Sequence, residues 1–441
     1  MSVPTDCPQR AERLGWMGDA EVFWRTASYN MALAAFSRKF TRDMRGTQMG
    51  TAFYGIFSPG TARVNAGWGA GWSDAGVIVP WTSWLQTGDT SIIDQNWAAM
   101  NKYLDAIAAA NPDFLWKNDG GNEFGDWLAP EGKTRYTLIA TAYWAYDLTL
   151  MEQMAHATGR TKDERKYAGL FDKIRAAFDK QFVRADGFVA GADNSASTFG
   201  LINNPNAKSS GGDTQTGYVL ALNMNLLPVN LRAAAAKRLA GKIEANHGLL
   251  GTGFLGTPYL LEVLTQNGYA NLAYKLLFNT AYPSWGYMIE HGATTMWERW
   301  NGNMMLGQPE MNSFNHYAYG AVGAWIYRYA AGVGATPLDA GFHTVVLHPV
   351  FDARLGHVSF NYDSDYGPIH SDWTAKGTTA HWRVTIPANT TGWLQVSAAQ
   401  AAKYKLEGVS LAQSKLATLR TLGGKSGFEL PAGSYTFSVE F

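Results

Sequence analysis

The sequence predicts a mainly α-helical protein, a closed ring of helical hairpins, followed by an antiparallel β-sandwich. From about Asp19 to Gly332, apolar residues recur at spacings of three and four, which is typical of packed helices. After that, short runs alternate apolar and polar residues between Gly, Asn, Asp and Pro turns, which is typical of antiparallel strands. The pattern changes near Thr336. We therefore predict a helical domain at 1–335 and a β-sandwich domain at 336–441.

The helical region contains roughly ten to twelve segments, and several of them are apolar nearly all round, as expected of helices buried on more than one side. No sequence repeat of fixed period is found, which argues against a solenoid of stacked repeats. A ring of hairpins with its loops gathered at one mouth fits both features. Long polar loops in a compact helical domain are usually functional, and here they are 58–76, 117–133, 193–214 and 298–313.

The charge balance limits the partners of this chain. Lys plus Arg equals Asp plus Glu at 36 each, so no basic surplus is available to bind nucleic acid or an anionic membrane. No apolar run reaches the ~18 residues that cross a bilayer, and no signal peptide is visible. We expect no membrane association and a cytoplasmic location. The composition leaves a homo-oligomer open.

The numbers of cysteine and aromatic residues limit the kinds of site that the chain can form. The single cysteine, Cys7, excludes an internal disulfide and a thiolate metal cluster. A buried small hydrophobe is the favoured interpretation of Cys7, with a nucleophile as the alternative. We predict neither a metal nor a cofactor. The 17 Trp and 21 Tyr are many for this length, and such rings line sugar clefts as readily as they fill cores.

The N-terminal stretch "TDCPQRAERLGWMGDAEVFW" concentrates four carboxylates, Asp6, Glu12, Asp19 and Glu21, in a chain with only 16% charged residues. A regular helix is interrupted there by Pro8, Gly15 and Gly18. The stretch is therefore predicted to be a loop whose side chains contribute to a functional site. Two simpler interpretations stay open: Asp19 as the N-cap of the following helix, and Glu12 as an ion-pair partner of Arg10 or Arg13.

Three further loops each set a carboxylate beside tryptophan and glycine, the combination expected where a sugar ring stacks on an indole and carboxylates hold its hydroxyls. Tryptophans around Glu298 in "TTMWERW" reduce hydration, which raises the pKa of a carboxyl. For Asp74 a helix cap is the alternative, and for Trp127 simple packing. Downstream, "MNSFNHYAYG" adds His316, either a polar sugar contact or a satisfied core histidine. The carboxylates and tryptophans of these loops are Trp68, Trp72, Asp74, Glu123, Asp126, Trp127, Trp297, Glu298 and Trp300.

Six stretches, in this order, resemble the catalytic region of bacterial α-L-rhamnosidases of glycoside hydrolase family 78. They are "DCPQRAERLGWMGDA", "GWSDAGVIVPW", "GDWL", "GFLGTPYLLEVL", "PSWGYMIEHGATTMWERWNG" and "MNSFNHYAYGAVGAWIYRYAAG". The tail stretches "HTVVLHPVF" and "SDYGPIHSDW" resemble that family's C-terminal β-sandwich. The resemblance implies an (α/α)6 barrel that hydrolyses terminal α-L-rhamnosides with inversion at the anomeric carbon.

The resemblance also implies roles for individual residues. Glu12 would be the general acid that protonates the leaving oxygen, and Glu298 the general base that activates water. Inversion needs the two carboxyl groups about 6.5–9.5 Å apart, so the helical region has to close on itself. A guanidinium stabilises a carboxylate, so we expect Arg10 and Arg13 to point away from Glu12 or to pair with other acids. The implied sugar contacts are Asp6, Trp16, Asp19, Trp72, Asp126, Trp127 and His316.

Two departures from the family pattern leave other functions open. Ala11 stands where the family usually has a further acid, and the catalytic stretch begins at Asp6, whereas family members generally carry β-sandwich domains ahead of the barrel. The chain is then either a minimal enzyme or a fragment. One alternative is another α/α-barrel glycosidase with a different glycone. The other is a truncated, catalytically weak protein that binds rhamnosides. A polysaccharide lyase is disfavoured because the balanced charge offers no cationic groove.

Overall fold

A computed structural model of the chain describes residues 3–10, 13–48, 50–60, 67–117, 121–192, 212–307 and 312–441. The predicted general acid Glu12 lies outside the described residues, and so does Ala11. The chain divides into two compact units. The first unit comprises Met1–Ala27, Ala35–Trp81 and Ile93–Val322. The second comprises Ser28–Ala34, Thr82–Ile92 and Gly323–Phe441.

Helices dominate the chain up to residue 290. In the described ranges they are α1 Met17–Asn30, α2 Ala34–Thr47, α3 Ala75–Thr87, α4 Ser91–Ala110, α5 Tyr136–Ala157, α6 Thr161–Phe182, α7 Gln215–Asn223, α8 Val229–Ala245, α9 Thr257–Gln266, α10 Ala270–Phe278 and α11 Trp285–Glu290. No helix in these ranges is long and apolar enough to cross a membrane.

The odd-numbered helices up to α9 are mostly buried, whereas the even-numbered ones have an exposed face. In α3, α5 and α7 nearly every residue is buried, whereas α6 buries only Tyr167, Ile174, Phe178 and Phe182. Within the first unit, α5 packs on α7, α7 on α9, and α9 on the 3-10 turn Ala318–Ala321. Each of these inner helices also packs on the helix that follows it: α6 on α5, α8 on α7 and α10 on α9. Helices apolar all round thus form an inner ring, and amphipathic helices cover it.

The second unit contains two β-sheets. Its strands are β1 Val333–Gly334, β2 Thr344–Leu347, β3 His357–Ser364, β4 Gly367–Lys376, β5 Thr379–Ile386, β6 Thr391–Leu394, β7 Tyr404–Leu406, β8 Val409–Ser410, β9 Thr418–Leu422, β10 Lys425–Leu430 and β11 Gly433–Glu440. One sheet has the order β1-β2-β6-β10-β9, and the other β3-β4-β5-β11-β7-β8. Within residues 333–440, which are all described, every pairing is antiparallel except that of β2 with β6, which is parallel.

The two sheets share one hydrophobic core. Leu347 and Phe428 enter it from one sheet, and Trp373, Trp382 and Phe437 enter it from the other. Burial alternates along β5, with every second residue buried, as expected of a strand with one face on a core. The indole of Trp382 donates a hydrogen bond to Ser371 Oγ at 2.9 Å, so its buried N–H is satisfied.

Candidate active site

The N-terminal segment and residues 298–317 meet in the first unit. Tyr317 Oη donates a hydrogen bond to the carbonyl of Pro4 at 2.7 Å. The side chain of Gln9 donates to Ser313 Oγ, and the guanidinium of Arg10 donates to Glu298 Oε2 across 288 positions of sequence. The two ends of the helical sequence therefore come together in one place, as the predicted ring closure requires.

Glu298 is held by backbone hydrogen bonds. Its amide donates to the carbonyl of Ser313 at 2.9 Å, and the amide of His316 donates to the carbonyl of Met296 at 2.9 Å. Only 3% of Glu298 is exposed. Its neighbour Trp297 packs edge-on against Phe314, with ring centroids 5.0 Å apart. These contacts fix the Glu298 carboxyl beside the N-terminal segment.

Two opposing effects set the charge of Glu298. Burial, the larger effect, raises the pKa of its carboxyl, and the negative charge of Asp19 adds to this rise. The positive charges of His316, Arg10 and Arg299 lower the pKa in turn, but the net direction is upward. A carboxylate whose pKa is raised takes a proton from water more readily than an ordinary glutamate does. That behaviour suits a general base.

His316 lies between two carboxylates. Its Nε2 is 3.0 Å from Asp19 Oδ1 and 3.5 Å from Asp6 Oδ2, and all three side chains are buried. Burial lowers the pKa of His316, but the two carboxylates outweigh burial and raise it well above its usual value. Burial raises the pKa of Asp19; for Asp6 the hydrogen bond and charge of His316 outweigh burial and lower the pKa. The site thus holds one histidine between two acids.

Three of the predicted tryptophans surround Phe124. The ring centroid of Phe124 is 4.7 Å from Trp72, 6.0 Å from Trp16 and 6.3 Å from Trp127. Trp72 lies flat against Gly18 in the first turn of α1, where a Cβ atom would come within 2.6 Å of the indole. Glycine at this position therefore brings the aromatic cluster next to Asp19.

Asp126 has a full set of protein partners. Its carboxylate accepts hydrogen bonds from the amides of Gly253 at 2.7 Å, Leu255 at 2.7 Å and Gly256 at 3.1 Å, and from the hydroxyl of Thr216. Burial raises the pKa of Asp126, and these four donors oppose the rise. The loop that Asp126 holds includes Phe254, whose ring lies 5.2 Å from the His316 ring. Asp126 therefore acts on His316 through this loop. A direct sugar contact by Asp126 stays a prediction.

A second group of acids lies buried beneath the Trp72 turn. Asp74 accepts hydrogen bonds from the amide of Gly71 at 2.6 Å and the hydroxyl of Tyr103 at 2.9 Å. Asp147 on α5 is its buried neighbour, and the charge of Asp74 disfavours ionisation of Asp147. Neither carboxylate oxygen of Asp147 has a hydrogen-bond partner among the described residues. Burial raises the pKa of Asp74 to about 6, and burial with the charge of Asp74 raises that of Asp147 well above its usual value. Glu21 is also fully buried, which raises its pKa well above normal.

This acid pair predicts a pH-dependent stability. The pKa of Asp74 is about 6 in the folded chain against a usual 3.8. Its contribution is fully present below pH 4 and is lost as the pH rises through about 6, which amounts to about 3 kcal/mol. Asp147→Asn replaces the acid beside Asp74 with a neutral amide and so removes the repulsion between the two acids, and the melting temperature of this variant should fall less between pH 4.5 and pH 7 than that of the wild type.

The matched control for the acid pair is Asp172→Asn, the same substitution on the exposed face of α6. Its side chain is 66% exposed and forms a surface ion pair with Arg175, which contributes little to stability. Melting curves of Asp172→Asn should follow those of the wild type at every pH. If the melting temperature of Asp147→Asn depends on pH as that of the wild type does, the ionisation of Asp74 does not depend on Asp147.

Most of the predicted site residues thus lie close together in the first unit. Asp6, Asp19, Glu298 and His316 form one buried cluster, and Trp16, Trp72 and Trp127 form an aromatic group beside it. Sequence patterns did not indicate the contacts that Arg10, Cys7 and Phe124 make in this site. Arg10 and Arg13 were expected to point away from Glu12 or to pair with other acids; in the structure Arg10 pairs with Glu298, and Glu12 lies outside the described residues. The sequence feature that could have indicated Phe124 is its position in "NEFGDW", between the candidate residues Glu123 and Asp126.

Comparison with known proteins identifies the family. The model of the bacterial alpha-L-rhamnosidase 6 hairpin glycosidase domain matches residues 1–330. The chain belongs to this family. The model of the bacterial alpha-L-rhamnosidase C-terminal domain matches residues 332–410. The family resemblance of the sequence motifs is therefore confirmed, and with it the fold class of an (α/α)6 barrel followed by a β-sandwich.

Individual rhamnosidases are similar over the whole chain. An alpha-L-rhamnosidase of Streptomyces avermitilis is 38% identical, and one of Formosa agariphila is 33% identical. The crystal structure of the Streptomyces avermitilis enzyme, complexed with L-rhamnose, superposes with a TM-score of 0.85 at 37% identity, covering 100% of this chain and 40% of that one. Our chain aligns along its full length but spans only 39% and 46% of the two curated relatives.

Proposed function

We propose that this chain carries the catalytic site of an α-L-rhamnosidase, which removes terminal α-L-rhamnose from glycosides with inversion. Family membership supports the reaction class. The observation that carries the proposal is the buried cluster of Glu298, Asp6, Asp19 and His316, which forms only where the two ends of the barrel sequence meet. The relative solved with L-rhamnose supports the choice of glycone.

In the proposed reaction, Glu298 accepts a proton from a water molecule as the oxygen of that water attacks the anomeric carbon. Arg10 donates a hydrogen bond to Glu298 and so favours its ionised form between turnovers. Glu12 donates its proton to the glycosidic oxygen on the opposite face of the ring as the bond to the anomeric carbon breaks. The products are the free aglycone and β-L-rhamnose.

The other residues of the site bind and orient the sugar. Asp6, Asp19 and His316 offer two acceptors and one donor to adjacent ring hydroxyls, and their buried setting strengthens each hydrogen bond. The aromatic group around Phe124 offers a wall for the apolar face of the ring and for its C6 methyl group. A methyl contact of this kind distinguishes a 6-deoxy sugar from one with a hydroxymethyl group by about 1–3 kcal/mol.

Product stereochemistry tests the proposal. During hydrolysis of p-nitrophenyl α-L-rhamnopyranoside, followed by proton NMR, the anomeric signal of β-L-rhamnose should appear first, and the α-anomer should grow in later by mutarotation. A first-formed α-anomer would mean retention and a different arrangement of acids. The matched substrate p-nitrophenyl α-L-fucopyranoside should be hydrolysed far more slowly, and equal rates would remove the assignment of the glycone.

A further inference from the structure

Asp6, Cys7 and His316 bring three different ligand atoms together. One carboxylate oxygen, the thiol sulfur and one imidazole nitrogen all lie within 4.8 Å of one another. The side chains are buried, with exposures of 4%, 1% and 3%. The thiol already hydrogen-bonds to His316. Asp6 and His316 bind the sugar in the proposed hydrolysis, whereas Cys7 has no part in it.

The spacing suits a tetrahedral ion. Around a zinc ion with bonds of about 2.0–2.3 Å, neighbouring ligand atoms lie about 3.3–3.6 Å apart. His316 Nε2 lies 3.5 Å from Asp6 Oδ2, and Asp19 Oδ1 lies 3.0 Å from the same nitrogen. His316 and Asp6 thus already have the required spacing, and the Cys7 sulfur lies within 4.8 Å of both ligand atoms, so an ion could bind between the three side chains with Asp19 available as a fourth ligand.

The types of ligand atom determine which metal ions the site prefers. A mixed group of sulfur, nitrogen and oxygen favours Zn²⁺ or Cd²⁺, whereas Mg²⁺, Ca²⁺ and Mn²⁺ prefer oxygen ligands alone. We propose that Asp6, Cys7 and His316 form an inhibitory site for Zn²⁺ or Cd²⁺ that excludes the sugar from the pocket. The metal site stands on these three residues alone. Its competition with the sugar rests on the function proposed above.

Binding has a defined proton balance. The Cys7 thiol gives up its proton to solvent and becomes a thiolate ligand. His316 ligates as a neutral imidazole, so the proton that Nε2 donates to Asp19 leaves that nitrogen and Nδ1 takes up a proton from solvent. One contact limits the affinity. The amide of Ala318 points at His316 Nδ1 at 3.3 Å, which opposes the tautomer that ligation through Nε2 requires. Since this hydrogen bond is long, its loss weakens binding without preventing it. We therefore expect affinity in the micromolar range, far below that of a structural zinc site.

Cadmium binding can be followed without measuring activity. A cadmium–thiolate bond absorbs in the ultraviolet by charge transfer, and in this protein such a band can arise only from Cys7, because the chain has a single cysteine. Titration of the full chain with CdCl₂, without added thiols or chelators, should give a saturable band with one thiolate per chain. Excess L-rhamnose should suppress it. The melting temperature should rise with Cd²⁺, because the ion binds the folded chain.

Variants separate this site from adventitious binding. Cys7→Ser should raise the Cd²⁺ concentration that halves rhamnosidase activity by at least tenfold and abolish the rise in melting temperature. His156→Gln is the matched control, since His156 is an exposed histidine paired with Glu164 on the surface. It should keep the wild-type band and inhibition. MgCl₂ should neither inhibit nor stabilise the protein.

The outcomes are distinguishable. No thiolate band at millimolar Cd²⁺, or equal inhibition of wild type and Cys7→Ser, would overturn the metal site. A band that excess L-rhamnose leaves unchanged would overturn the competition. A chain that gives the band but hydrolyses no rhamnoside would keep the metal site and refute the proposed function. A chain that hydrolyses rhamnosides without giving the band would keep the proposed function and refute the metal site.

Discussion

Replacing Glu298 by glutamine should lower kcat on p-nitrophenyl α-L-rhamnopyranoside by about three orders of magnitude, as expected for loss of a general base. Glutamine keeps the shape of the side chain but cannot accept the proton of the attacking water. It also leaves the guanidinium of Arg10 without its anionic partner. Affinity for L-rhamnose, measured by calorimetry, should change only a few-fold, because the sugar hydroxyls are held by other side chains.

Glu290→Gln is the matched control for this substitution. Glu290 is an exposed glutamate at the end of α11, outside the buried cluster, and its variant should keep wild-type kinetics. Near-normal turnover by Glu298→Gln would remove Glu298 from the role of base. Loss of rhamnose binding in step with kcat would instead make Glu298 a binding residue.

The same change at Glu12 tests the general acid. Glu12→Gln should also lower kcat by orders of magnitude, but the pH profiles should differ. A base has to be ionised, so the acidic limb of the kcat profile belongs to Glu298; an acid has to be protonated, so the alkaline limb belongs to Glu12. Each variant should lose its own limb and keep the other. An unchanged profile in either variant would contradict its assigned role.

Replacing Asp126 by alanine should destabilise the protein more than any other single change discussed above. The substitution removes the acceptor of three buried amides and one buried hydroxyl. Each unsatisfied donor costs about 1–3 kcal/mol, and solvent entry offsets part of the loss, so we expect a net cost of about 3–5 kcal/mol. The melting temperature should fall by roughly 5 °C, since the unfolding entropy of a unit of this size is large.

The kinetics of Asp126→Ala distinguish a structural role from a sugar contact. If Asp126 acts only through the Phe254 loop, the variant should lose stability first, and kcat should fall as His316 loses its neighbour. If Asp126 also touches the sugar, KM should rise in addition to the loss of stability. Glu123→Ala, an exposed acid in the same loop, is the control and should change neither.

Local patterns predicted much of the second unit, but not all of it. Alternation identified β2, β3, β5, β6 and β11. It did not reveal β9 and β10, where residues 418–427 are largely exposed and an alternating apolar face is missing. Nor did it predict the parallel pairing of β2 with β6. Pairing partners depend on which strand lies alongside, and the periodicity of a single strand does not record that.

In the candidate site, sequence motifs located the chemistry but not its partners. Motif order placed Glu298 and His316 in the site, and both are buried there. It did not reveal that Arg10 would bind Glu298, because the two are 288 positions apart and each also fits a local ion pair. Asp126 was predicted as a sugar contact because it stands beside tryptophan. Its four donors come from α7 and from the 253–256 loop, more than eighty positions away.

The sequence by itself determined the alternation of buried and amphipathic helices, the change to strands, and which residue types gather in the loops. These properties follow from spacing and composition, which are local. Only the tertiary structure decided which charges face one another: His316 between Asp6 and Asp19, Arg10 on Glu298, and Asp74 beside Asp147. Ionisation depends on burial and on neighbours a few ångströms away, and closure of the barrel brings those neighbours from distant parts of the chain.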